Sequence, residues 1–213
     1  MKKYFYIFGF IISVTLLLKS LSKKENKMLI DTDKQNLFND LVKFVLRMEG
    51  GLTSDTTDSA SNFPLKGTYK VGSKTFTNPH TNKGITYKTF VDSANLGYKP
   101  TDENFLNMPS DIWLKIFKEK YYSKTLKFSD NIVLNSYLSL WYWGGWNTKQ
   151  MSVQRVANVL ASNYTNDEKL KKLTELRKEY FDNIIKTNPT YVKYEKGWKN
   201  RADEFYNEFK KYT

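Results

Sequence analysis

The sequence predicts a mainly α fold with a small β-hairpin lobe, carried behind an amino-terminal apolar segment. Three observations point there. Apolar residues recur at three-to-four spacing over most of the chain from Asp33 to Tyr212, the helical period. The stretch from Leu52 to Thr86 is instead rich in Ser, Thr, Asp, Asn, Gly and Pro and holds only short alternating pieces, which is the pattern of loops and hairpins. Residues 4–18 form an apolar run bracketed by lysines. With 213 residues, 40% of them hydrophobic and 26% charged, the chain can bury the core of one domain, and wholesale disorder is excluded.

The first element is the apolar run from Tyr4 to Leu18, broken only by Gly9, Ser13 and Thr15, with Lys2 and Lys3 before it and Lys19, Lys23, Lys24 and Lys27 after it. It reads as an export signal or a membrane anchor over residues 1–22, followed by a linker at 23–32. The run falls somewhat short of the ~30 Å hydrocarbon core, and extension to Leu21 with snorkelling lysines narrows the gap. Ser20-Leu21-Ser22 is a poor cleavage site, which favours an uncleaved anchor. The domain at 33–213 is then expected on the cell-wall side of a membrane, or exported.

Asp33 can cap a helix whose apolar positions are Leu37, Leu41, Phe44, Val45 and Met48, and Gly50-Gly51 ends it, so Glu49 is its expected last residue. Within 52–86, Tyr69-Lys70-Val71 and Lys74-Thr75-Phe76 alternate as hairpin strands do. Helices are then predicted at 87–94, from Pro109-Ser110 through Ile112, Trp113, Ile116, Phe117 and Tyr121, and at 131–143, the last apolar nearly throughout and so central and buried. Helices at 153–162 and 166–186 follow; Asn188-Pro189 breaks the chain before a last helical segment at 191–212.

Composition removes several chemistries. The chain has no cysteine and a single histidine, His80, so no Ser-His-Asp or Cys-His triad, His-based zinc site or H-E-x-x-H helix can be built. No P-loop or G-x-G-x-x-G is present, and no cofactor or metal is expected. The net charge is +12, and residues 31–213 keep +7 of it. That charge attracts any polyanion without choosing among them, and an exported chain rarely meets nucleic acid, so nucleic-acid binding is the weakest reading. What remains is carboxylate chemistry.

Glu49 stands at a helix end where the partial negative charge of the last carbonyls opposes its ionisation, with apolar Leu46 and Met48 close by. A carboxylic acid that keeps its proton is what protonation of a glycosidic oxygen needs. The plain alternative is an exposed glutamate at a frayed helix end. A second polar group must then face the first across the bond to hold water or stabilise the oxocarbenium-like centre. Asp58, nine positions on, can fold back across a cleft; Asp55 and Asp58 can equally be turn formers.

Met48-Glu49-Gly50-Gly51, Thr81-Asn82-Lys83-Gly84-Ile85-Thr86 and Gly197-Trp198-Lys199-Asn200-Arg201, in that order, resemble glycoside hydrolase family 108, over residues 37 to 203. That family comprises lysozyme-like muramidases with a peptidoglycan-binding carboxy-terminal region. The resemblance implies a lysozyme-like fold, Glu49 as catalytic acid, Thr81 as the hairpin threonine facing the cleft and Asp58 as the loop aspartate. Thr86 in the same hairpin and Tyr122, of the Tyr121-Tyr122 aromatic element, are expected to meet substrate. Two departures stand out: the insertion Ser59 to His80, expected as a surface flap over the cleft, and Tyr137-Leu138-Ser139 where the family's central helix carries an aspartate.

Trp141, Tyr142, Trp143 and Trp146 form the densest aromatic cluster, expected mainly as core, with Trp146 the partly exposed member that contacts sugar. Trp198 is expected to pack the terminal helices together, Arg201 to pair with an acidic neighbour, and His80 to be an exposed turn residue. Peptidoglycan is the expected partner, together with a membrane through the amino-terminal segment; the oligomeric state is left open. A muramidase-like module that binds the envelope without cutting it is the competing reading.

Overall fold

The structure is a computed structural model and describes residues 32–145 and 152–213. The apolar run and Trp146 lie outside the described residues, among which no helix is long and apolar enough to cross a membrane. The chain divides into two units, Met1–Asp40 and Leu41–Thr213. Of the first, residues 32–40 are described and are helical, with Gln35 Nε2 donating to Asn39 Oδ1 at 2.9 Å one turn further on. The features below belong to the second.

Helix α1 covers residues 32–48, and its positions Leu41, Phe44 and Val45 are buried. It stops before Gly50-Gly51 as the sequence predicts, and the Glu49 N–H still donates to Val45 O at 3.0 Å. Two antiparallel hairpins follow: β1 (Thr68–Val71) on β2 (Lys74–Thr77), and β3 (Thr81–Asn82) on β4 (Ile85–Thr86). The alternating pieces read from the sequence are the first of these, turned at Gly72 with φ +60. The second turns through Lys83 (φ 47) and Gly84 (φ 76), positive at both central residues as tight two-residue hairpin loops require.

Helix α2 (Tyr87–Asp92) is capped by Thr86, whose hydroxyl accepts the Thr89 N–H at 3.1 Å. Helix α3 (Asp102–Asn107) was not anticipated; it is too short for a periodic signal, and Thr101 caps it. Helix α4 (Ser110–Phe117) opens at Pro109 as predicted, then widens into a π turn (Lys118–Tyr122) before the single turn α5 (Ser123–Thr125). Asn131 caps α6 (Ile132–Trp143), buried on nearly every side. Then come α7 (Ser152–Ala161), α8 (Asn166–Thr187) with a Thr165/Glu168 capping box, a 3-10 helix at Pro189–Tyr194, and α9 (Glu195–Phe209).

The fold is mainly α with two small sheets. Its aromatic core joins α1, α6 and α9: Phe205 lies 4.8 Å from Tyr137, 5.5 Å edge-on from Phe44 and 4.1 Å from Phe209 in a parallel stack. Truncating such a ring costs about 3–5 kcal/mol, so these contacts dominate the local stability. Arg177 of α8, buried among these helices, aims its guanidinium at the carbonyls closing α6, Leu140 O at 3.4 Å and Trp141 O at 3.5 Å. Burial lowers its pKa to about 10. A cation there answers the negative end of α6, and the same guanidinium fills the space a side chain at Gly144 would need.

His80 is a correction: it is fully buried. Backbone bonds hold it from three segments, since its N–H donates to Thr53 O at 3.0 Å, Tyr87 N donates to its carbonyl at 2.7 Å, and Leu65 N donates to Pro79 O at 2.8 Å. Pro79-His80 resembles a turn locally, whereas its burial is imposed by segments distant in sequence. The insertion 59–80 is accordingly part surface and part core: β1 and β2 are mostly exposed, while Leu65 is buried with His80.

Candidate active site

A cleft of about 1050 Å³ runs through the second unit, lined among others by Glu49, Asp58, Thr81, Thr86, Trp143 and Arg201. The end of α1 delivers Glu49 to its floor, with 17% of the side chain exposed. Trp143 Nε1 donates to Glu49 Oε1 at 2.8 Å, and Arg201 Nη1 stands 3.5 Å from the same oxygen. Both donors therefore sit on one carboxylate oxygen. The other, Oε2, faces Gly84, where a Cβ would come within 2.8 Å of it and closer still to Trp143 Cζ2. Gly84 thus serves twice, supplying the positive φ of the hairpin turn and leaving room for the carboxyl.

Trp143 is held by a box of rings. Trp113 lies at 5.7 Å, Phe117 at 5.4 Å and Tyr121 edge-on at 4.8 Å, which fixes the indole so that its N–H meets Glu49. Burial, with the Glu49 charge as a lesser cause, raises the pKa of Tyr121, keeping it a neutral wall of that box. The hairpin opposite is bolted to the helices. Asn82 Nδ2 donates to Phe105 O at 2.7 Å and Leu106 O at 2.9 Å, Lys83 Nζ to Met108 O at 2.9 Å, and Trp113 Nε1 to Lys83 O at 2.9 Å.

Asp58 reaches the cleft from the loop after Glu49. Its Oδ1 accepts the Ala60 N–H at 2.9 Å and so caps a 3-10 turn at Ser59–Asn62, leaving Oδ2 without a bond among the described residues. The turn-forming and cleft-facing readings of Asp58 therefore coexist. Thr53 pairs with Thr81 as an isolated bridge, Thr53 N to Thr81 O at 2.9 Å, so the aspartate loop and the threonine strand move as one piece. Asp55 is the turn former: Oδ1 accepts from the Thr57 backbone at 2.9 Å and its hydroxyl at 2.7 Å, and these bonds, the backbone one foremost, lower its pKa. Lys193 Nζ donates to Thr57 Oγ1 at 3.0 Å, tying that loop to the 3-10 helix of the far wall.

The structure brings together Glu49, Asp58, Thr81 and Thr86 in one cleft. Tyr122 does not join them: it is 7% exposed, pointed into the core, and absent from the cleft wall, while its neighbour Tyr121 faces the Glu49 side. Adjacent residues in a helical turn point in different directions, and the sequence gives no means of choosing between the two tyrosines. Sequence reasoning also missed Trp143, taken as core, and the identity of the acidic partner of Arg201, which is Glu49 itself. Trp198 packs on Phe181 at 5.2 Å as anticipated, and with Tyr194 at 5.6 Å also lines the cleft.

Residues 42–131 match the family model of glycosyl hydrolase 108. That segment is similar to glycoside hydrolase family 108. The match takes in Glu49, Asp58, Thr81 and Thr86, supports a glycoside hydrolase, and suggests peptidoglycan as its substrate. It ends before α6, so Trp143 and Arg201 are contributed from outside the matched residues, and the comparison shows no peptidoglycan-binding region at the carboxy terminus. Comparison with curated proteins and with solved structures gave no match.

Proposed function

We propose that this chain is a lysozyme-type N-acetylmuramidase, cleaving the β-1,4 bond between N-acetylmuramic acid and N-acetylglucosamine with Glu49 as general acid. The observation that carries the reading is the asymmetric dress of Glu49. Oε1 holds Trp143 and Arg201, whereas Oε2 has no bond among the described residues and is the oxygen left to give a proton to a leaving oxygen in the cleft. Asp58 through its free Oδ2, or Thr81 through a bound water, serves the nucleophilic side. Tyr194 and Trp198, stacked on each other, give the cleft an aromatic wall against which sugar rings can pack. The lysozyme-like architecture belongs to the same proposal, with the hairpins forming one lobe and the helices the other.

Residues 4–21 anchor the domain on the cell-wall side in this reading, where the +7 charge of the remainder favours the anionic wall. One observation favours the competing reading of a non-cleaving envelope-binding module: Arg201 engages the carboxyl that must donate the proton. At 3.5 Å, with 44% of its side chain exposed, the arginine is loosely held and can be displaced by substrate. Reducing-end release from purified peptidoglycan by the full chain decides between them. Cleavage lost in Glu49→Gln with the fold retained supports the muramidase, and an inactive wild type that still binds peptidoglycan supports the module.

A further inference from the structure

The cleft has a hydroxyl whose direction the structure fixes. His80 is fully buried, and its two ring nitrogens face different groups: Nε2 lies 2.9 Å from Asp55 O, and Nδ1 lies 3.0 Å from Thr81 Oγ1. A backbone carbonyl only accepts, so Nε2 must carry a proton. No carboxylate pairs with the ring among the described residues, and the tautomer with its single hydrogen on Nε2 meets both partners. In that tautomer Nδ1 is a bare lone pair, and among the described residues the hydrogen facing it is that of the Thr81 hydroxyl.

We propose that His80 is a positioning residue that holds the Thr81 proton away from the cleft, so that Oγ1 presents lone pairs to the water that attacks the sugar. A threonine hydroxyl left free rotates, and for part of the time offers its own hydrogen to that water, turning an oxygen lone pair of the nucleophile away from the anomeric carbon. Tied back to Nδ1, Oγ1 accepts a hydrogen bond from the water and aims the water oxygen's lone pair at C1. As that oxygen bonds to C1, the water's other hydrogen passes to Asp58 Oδ2, and the bond to the leaving oxygen breaks with the proton supplied by Glu49. The chain Asp55 C=O···H–Nε2/Nδ1···H–Oγ1 thus sets the polarity of the side of the cleft opposite the carboxyl of Glu49. Every link sits on the stitched unit of Thr53, Asp55, His80 and Thr81, so the direction is set by the backbone and not by substrate. This rests on the muramidase reading and adds to it the residue that makes Thr81 an acceptor.

His80 being the single histidine, its ring nitrogens give an unambiguous signal in the full chain labelled with ¹⁵N-histidine. The expected spectrum shows a pyrrole-type Nε2 and a pyridine-type Nδ1, with Thr81→Val shifting Nδ1 and leaving Nε2 in place. In the kinetic arm, His80→Leu and Thr81→Val each lower kcat by at least about tenfold with KM within about twofold, and the double variant is no worse than either. His80→Asn recovers most of the rate, because Oδ1 of asparagine stands where Nδ1 stood. Should His80→Leu fail to fold, His80→Asn against Thr81→Val carries the comparison. A proton on Nδ1 in the active protein overturns the inference, as does a wild-type kcat in Thr81→Val. An inactive wild-type chain overturns the muramidase reading and the catalytic role of the pair with it, whereas a wrong tautomer in an active chain overturns only the positioning role.

Discussion

Gly84→Ala tests whether the hairpin turn and the carboxyl of Glu49 share one packing constraint. Alanine at φ +76 costs about 1–2 kcal/mol in backbone strain. Its methyl also enters within 2.8 Å of Glu49 Cδ and Oε2 and nearer to the Trp143 ring, and forced overpacking of that kind costs about 1–3 kcal/mol more. The sum, about 2–5 kcal/mol, lowers Tm by roughly 4–20 °C for a domain of this size. Gly97→Ala separates the two costs, because φ there is +85 and nothing lies within 4 Å of the added carbon. That variant should lose only about 2–8 °C and keep wild-type cleavage. Gly84→Ala should in addition lose about 10²-fold in rate, since the methyl displaces the proposed acid by the order of an ångström. Thermal melts and reducing-end assays on both variants give the answer. If Gly84→Ala melts with Gly97→Ala and cleaves as wild type does, the close approach is not a constraint and the placement of Glu49 against the hairpin is wrong.

Glu49→Gln should remove cleavage by about 10²- to 10⁴-fold while the melt is unchanged or slightly higher; wild-type cleavage would sink the mechanism. Asp58→Asn keeps the Ala60 cap and should cost less than Glu49→Gln where Thr81 shares the water, and as much where Asp58 acts alone, as paired rates will show. Trp143→Phe keeps the ring box but deletes the hydrogen bond to Glu49 Oε1, so activity should drop with a stability change of about 1–3 kcal/mol, read by melts beside kcat. Burial raises the Tyr137 pKa to about 12 against 10 when unfolded, so its contribution is intact below pH 10 and lost as pH rises toward 12, about 2–3 kcal/mol in all. Arg177 runs the opposite way over that window, and Tyr137→Phe, which also deletes a hydroxyl without a partner among the described residues, should isolate the tyrosine by flattening the alkaline loss. The full chain should sediment with membranes, and a soluble form beginning after Ser22 would refute the anchor.

Much of this protein is written locally. The helical period of residues 33–48 and the Gly50-Gly51 stop place Glu49 at a helix end, because both signals act within a few residues of it. Asn131, Thr165 and Pro109-Ser110 start their helices where the sequence says, since a cap or a fixed φ needs no distant partner. The hairpin at 68–77 is legible for the same reason, whereas the one at 81–86 was expected from the family resemblance. The tertiary structure alone decided what these pieces meet. His80 looks like a turn and is buried, because Thr53, Leu65 and Tyr87 close around it from other parts of the chain. Trp143 looks like core and is a ligand of the carboxyl 94 positions away, and Arg201 finds the same oxygen from α9. Periodicity reports which face of a helix turns inward, but an inward face can border a core or a cleft, and only the packing of one helix against another settles which.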